Sequence, residues 1–389
     1  MTHLRTTRSA HHGMTLIELL VVVGILSIMM GIAAVAVRTG TKGKKQREAA
    51  RQVNAFVAGV QARAFELGRP CGFEIVRHGT TLTTPNSDAN NISFRMYMLE
   101  SPPVYAGDLD TSTLRLNQLH SASSTVPAGH EDPLGPPHRK RLVLVDALGN
   151  SPSASFFLAN NEVGEIRLEY RGPKYDFRVI QASPQLQIAV FIPPSDNRFD
   201  RFAGVDLATV NVSMPFQLYL RPTRSSVTPL QLPSDMCIDL AFSGMGASDR
   251  QFHNSNPMFG AEASVNVMFS PTGSVDRIYD INGIARRPIG NVHLLVGKFD
   301  QAVNLVEVEA SMDAADLPAP LNSLIDNSTN LYDATSMWVS VNYLSGQVST
   351  TRNAFIDPGA VGTLSDRDVM SEARKFAQRT ETIQGQGDE

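Results

Sequence analysis

One carboxylate, Glu18, stands inside a run that is otherwise apolar or small from Met14 to Val37, and Arg38 is the first strong charge after it. As a helix, a run of this length reaches ~34 Å, against a bilayer hydrocarbon core of ~30 Å. A carboxylate inside such a span is expensive, by roughly 2.5–3.5 kcal/mol or more at the centre, so a partner for Glu18 is expected. The chemistry open to these residues is ion pairing in a medium of low polarity, not turnover of a substrate. A short basic leader with Arg5 and Arg8 precedes the run and closes on Gly13.

The string His12-Gly13-Met14-Thr15-Leu16-Ile17-Glu18-Leu19-Leu20 resembles the class III leader of type IV prepilins and type II secretion pseudopilins. The resemblance implies that prepilin peptidase cuts after Gly13 and N-methylates Met14, the new first residue. Methionine there departs from the phenylalanine commonest in the family. The freed α-amine, with an ordinary pKa near 8, is largely cationic at pH 7 and stays so when methylated. Glu18 lies four residues on, on the same helical face, and could pair with its own amine or a neighbour's. The family uses the neighbour's, which sets the register between subunits in a filament. Two other readings compete. In an ordinary secretory signal, Ala34-Val35-Ala36 would be the cleavage site, but a glutamate near the start of the apolar region suits such a signal poorly. A plain signal anchor would hold a periplasmic binding domain or enzyme that never polymerises.

Several elements must position this end. Gly40 and Gly43 interrupt the helical pattern at about 1 kcal/mol each relative to alanine, so a kink or a partly melted turn is expected there. Val53, Phe56, Val57, Val60, Ala64 and Leu67 then follow helical spacing, and Gly68-Arg69-Pro70 ends the helix. Beyond Pro70 the signal has period two, as in Leu186-Ile188-Val190-Ile192 and Met337-Val339-Val341-Tyr343. This reads as antiparallel β structure. Residues 210–220 alternate likewise, with Pro215 suggesting an edge strand or a bulge. Stretches 79–91, 101–140 and 313–335 read as long loops, and 366–380 as a short helix.

Residues 53–72 (VNAFVAGVQARAFELGRPCG) and 265–278 (VNVMFSPTGSVDRI) resemble the H-type, FimT-like minor pseudopilins, where a helix ending in such a run precedes a strand with a Phe-x-Pro-x-Gly turn. Phe269, Pro271 and Gly273 match that turn. The middle of the chain matches nothing in that pattern.

Other chemistry is thinly represented. Lys and Arg total 34 against 38 Asp and Glu, and a leader carrying Arg5 and Arg8 would leave the mature chain more acidic still. With no basic stripe, nucleic acid is not the expected partner. Basic residues do gather at Arg38, Lys42, Lys44, Lys45 and Arg47, just past the apolar run, where the positive-inside rule would compete with the leader over orientation. Cys71 and Cys237 could form a disulfide or remain separate buried thiols. Asp196 and Asp200 have calcium-like spacing but lack the glycine turn and closing glutamate of a true calcium loop. Asp108 and Asp110 are weaker still. No hydrolase, P-loop or zinc motif occurs, so neither catalysis nor a cofactor is expected.

The expected protein is α+β and pilin-like: leader 1–13, an assembly helix crossing the membrane at 14–37, its amphipathic continuation at 38–70, a β-rich head at 71–355 and a polar tail at 356–389. As a pseudopilin it would sit in the bacterial inner membrane with the head outside the cytoplasm. Its partners would be prepilin peptidase and other pilin or pseudopilin subunits. A minor type IV pilin for adhesion or DNA uptake is the alternative.

Overall fold

The computed structural model describes residues 16–78, 91–120, 140–145, 158–170, 172–181, 187–192, 213–254, 256, 264–279, 285–303, 329–356 and 364–379. Helix α1 (Leu16–Leu67) spans 52 residues. Contrary to the expected melted turn, it runs unbroken through Gly40 and Gly43. Glycine retains both backbone hydrogen bonds, and its entropic cost is small beside the long helical stretches on either side. Gly68 ends the helix with φ 61°, its amide donating to the Phe65 carbonyl at 3.3 Å.

The strands are β1 (Cys71–Val76), β2 (Ile92–Ser93), β3 (Arg95–Glu100), β4 (Leu114–His120), β5 (Lys140–Val145), β6 (Val163–Leu168) and β7 (Lys174–Gln181). They continue with β8 (Gln187–Ile192), β9 (Ser213–Met214), β10 (Phe216–Tyr219), β11 (Thr223–Arg224), β12 (Leu230–Gln231) and β13 (Met236–Met245). The last are β14 (Val265–Phe269), β15 (Val275–Tyr279), β16 (Ala285–Arg286), β17 (Val292–Lys298), β18 (Met337–Val341) and β19 (Val348–Arg352), followed by helix α2 (Asp366–Ala373).

Two sheets hold the second half of α1. One has the order β11-β3-β1-β14-β15-β16, with β12 also on β3; the other has the order β19-β18-β17-β13-β2. Ala49, Val53, Val57, Val60 and Ala64 are wholly buried in one cluster with Phe73, Ile75 and Val267 of the first sheet and Ile238, Leu294 and Val339 of the second. Their helical spacing faces one side of α1 to the head. On the far side of the second sheet, Val369, Met370 and Ala373 of α2 pack with Phe242, Leu295 and Trp338. Every residue of β13 and β18 is therefore buried, because both faces of this sheet are covered.

Within that second sheet His293 is 1% exposed and its Nδ1 lies 2.8 Å from Ser340 Oγ. Burial, then the nearby Arg374 charge, holds its pKa well below the ordinary value. A depressed folded value means that only the unfolded chain takes up this proton near pH 6. Stability is therefore full above about pH 6.5 and falls as pH drops below it. Denaturant titrations should show this slope in the native chain and a flatter one in His293→Gln.

The strands β4 to β10 form a third sheet, ordered β10-β6-β7-β8-β5-β4-β9. Its two end members adjoin in sequence, β9 pairing with β4 and β10 with β6. Only Pro215 separates them, so the sheet closes into a small antiparallel barrel. Pro215 is thus neither on an edge strand nor a simple bulge: lacking an N–H, it sits where the chain hands over from one ladder to the other, its carbonyl accepting from Glu169 N at 2.9 Å. Ile166, Leu168, Phe177, Val179, Ile188, Val190, Met214, Phe216 and Leu218 fill the interior. Closure removes free edges. Strand β4 also corrects the expected loop over 101–140.

The barrel meets the first sheet through Glu165, which accepts from Arg277 and lies 3.2 Å from Lys174 Nζ. Lys174 Nζ sits 3.6 Å from the centre of the Tyr219 ring. A cavity of ≈ 390 Å³ lies at this junction, between the barrel and the end of α1.

Candidate assembly site

The first part of α1 stands away from the head. Leu16 is 83% exposed, Ile17 71%, Leu20 64%, Ile28 67% and Met30 71%. Apolar side chains point outward on every side of the helix, so no stripe faces the protein's own core. A helix apolar all round requires a non-aqueous or protein environment, and each such side chain contributes about 1.5–3 kcal/mol when buried. Among the described residues no helix is long and apolar enough to cross a membrane. The described apolar side chains run from Leu16 to Met30, whereas a crossing takes ~20 residues.

Glu18 lies in the first turn of α1. The amides at a helix N-terminus favour a negative charge there. Ser27, the other polar side chain among these residues, donates to the Val23 carbonyl at 2.8 Å, which removes the cost of an unsatisfied hydroxyl in an apolar setting.

The second half of α1 is fastened along its length. Lys45 Nζ lies 3.1 Å from Asp235 Oδ2, and Asn54 Nδ2 donates to Thr350 Oγ1 at 2.9 Å. Gln61 Nε2 donates to the carbonyls of Gly273 at 3.0 Å and Ser345 at 2.9 Å. Glu100 Oε2 accepts from Arg69 at 3.2 Å. The Phe-x-Pro-x-Gly turn is part of this fastening. Gly273 has φ 88°, and a Cβ there would meet the Phe65 ring at 2.4 Å. Its carbonyl lies so close to Gly346 that a Cβ on that residue would stand 1.8 Å from it.

Of the other sites singled out in the sequence, Gly13, Met14, Asp196 and Asp200 lie outside the described residues. Asp108 Oδ1 accepts from the Tyr105 hydroxyl at 3.0 Å. The Cys71–Cys237 bridge is not formed: the two thiols are free and buried, on β1 and β13 of different sheets. Burial raises the pKa of both, which suppresses the reactive thiolate. An alkylating reagent should therefore label neither thiol in the native fold and both after denaturation, as read by intact mass.

Sequence reasoning missed Gln61 and Arg374. Both looked like solvated polar residues, one on a helix face and one in a polar tail. Each is fixed by carbonyls distant in sequence, from turns and, for Arg374, from β13 as well, for which a sequence carries no local signal.

The family profile described as "Prokaryotic N-terminal methylation motif" matches residues 8–34, a segment containing Gly13, Met14 and Glu18. No curated protein and no solved structure matches the chain. The motif supports a type IV pilin-like or pseudopilin subunit, processed by prepilin peptidase and assembling with other such subunits.

Proposed function

We propose that this chain is a minor pseudopilin of a type II secretion system, anchored by α1 in the bacterial inner membrane with its head outside the cytoplasm. The observation that carries the reading is the junction of two unlike halves in one helix. The methylation-motif half exposes apolar residues all round, and the other half buries one apolar face in the head. The role is structural, and no residue turns over a substrate.

Cleavage after Gly13 leaves a cationic amine on Met14. Inserted in the bilayer, that amine and Glu18 of a neighbouring subunit neutralise each other, which lowers the cost of both charges in hydrocarbon. Apolar helices pack side by side, and one ion pair fixes their stagger. The Phe269-Pro271-Gly273 turn under the end of α1 supports the minor, H-like class.

Deletion of the gene separates secretion from pilus assembly. The proposal expects loss of protein export with surface pili retained. Loss of pili with export intact would overturn it in favour of a minor type IV pilin.

A further inference from the structure

We infer that Lys44, Lys45 and Arg47 form a collar that binds the anionic phospholipid headgroups on the side of the membrane facing the head; the inference rests on the membrane reading above. Successive helical residues point about 100° apart. Gln46 is wholly buried toward the head, so Lys44, Lys45 and Arg47, all exposed, surround the three remaining sides of the helix. Arg38 and Lys42 add to the charge in sequence.

The height of this collar brings it within reach of the headgroups. The apolar run ends at Val37, and Lys44 stands ~10 Å further along at ~1.5 Å per residue. A hydrocarbon core of ~30 Å grows to ~40–45 Å when both headgroup layers are included, so each layer is ~5–7 Å deep. With the apolar run filling the core, Lys44 and its neighbours stand just above the phosphates, and their long side chains reach back to them.

The local geometry agrees. Arg47 Nε donates to the carbonyl of Gly43 at 3.1 Å, one turn back, so its guanidinium reaches toward the apolar end. Lys45 is half exposed beside Asp235, which brings the turn before β13 down to the same level. The nearest acid on the helix, Glu48, is engaged with Arg51, accepting at 2.9 and 2.8 Å. It therefore takes little positive charge from the collar. Clustered Lys and Arg beside a membrane segment are the chemistry that recruits acidic lipid. That attraction also offsets the orientation penalty of placing cations on this side.

The test is full-length chain in vesicles of equimolar phosphatidylcholine and phosphatidylglycerol. After flotation and gentle detergent extraction, mass spectrometry reads the retained lipids. The expected result is phosphatidylglycerol enriched about fivefold or more. The ratio should return to the input ratio in the triple variant Lys44→Gln/Lys45→Gln/Arg47→Gln. Arg51→Gln, one turn or more beyond the headgroups, should leave it unchanged. A chain that floats but retains both lipids equally, or whose enrichment survives the triple variant, overturns the collar. A chain that does not float at all overturns the membrane reading itself.

Discussion

Glu18→Ala should leave the chain in the membrane but remove it from assembled complexes. The two effects separate because the carboxylate acts oppositely on them. Alone in the bilayer it costs roughly 2.5–3.5 kcal/mol, so its loss makes monomer insertion easier. In the assembly proposed above it would meet the amine of a neighbour, and that compensation would fix the stagger of the helices. At about 1.4 kcal/mol per tenfold, losing the pair lowers incorporation by roughly two orders of magnitude. Glu18→Gln, which keeps the shape and not the charge, should behave like alanine, and Glu18→Asp should retain part of the activity. Cross-linking to neighbouring subunits in the native membrane measures this, with carbonate-resistant membrane association as the parallel readout. A signal-anchored protein that never polymerises would show no change in any of these variants.

Trp338→Ala should be the most destabilising single change in the head. Trp338 is wholly buried, and its Nε1 donates to Asn353 Oδ1 at 2.9 Å and to the Ala373 carbonyl at 3.1 Å. The Arg374 guanidinium lies 5.0 Å from its ring centre. Arg374 in turn donates to the carbonyls of Gly246, Phe242 and Asp249. Removing the indole opens a cavity and unseats α2 from the second sheet, at a cost of about 3–5 kcal/mol. That is a large share of the ~5–15 kcal/mol by which folded domains are stable. Trp338→Phe keeps most of the volume but takes the donor from buried Asn353 Oδ1, while the Ala373 carbonyl still accepts from Ala354 N at 3.1 Å, for about 1–3 kcal/mol. Denaturant unfolding of the detergent-solubilised chain, followed by circular dichroism, distinguishes these values.

Local signals in the sequence were strong enough to place α1 and its end. Its buried stripe has a clean helical period, and Gly68 and Pro70 punctuate it chemically. Many strands were legible because the sheets bury alternate residues. The short helix near the C-terminus was legible from Val369, Ala373 and Phe376. The barrel was not. Its closure depends on β9 and β10 reaching opposite edges of one sheet, and no period-two pattern says which strands are neighbours. Strand β4 was hidden for a more local reason: the ladder to β5 shifts register between Leu116 and Gln118, so Leu114, Leu116 and Leu119 break alternation. In Pro215 the sequence carried a true signal of interrupted pairing, yet the interruption lies at a seam where the strand changes partner. Glu18 was the most conspicuous residue in the sequence, since a carboxylate in an apolar run conflicts with its surroundings and the conflict is visible in one dimension.

The most direct test of the account is the mass of the N-terminal peptide of the protein isolated from its native membrane. A prepilin-processed subunit yields a peptide beginning at N-methylated Met14, with residues 1–13 removed. A peptide beginning at Val37 would mean an ordinary signal cleaved after Ala36 and a head released from Glu18, and a chain retaining its leader would mean a plain anchor; either result contradicts the filament subunit described here.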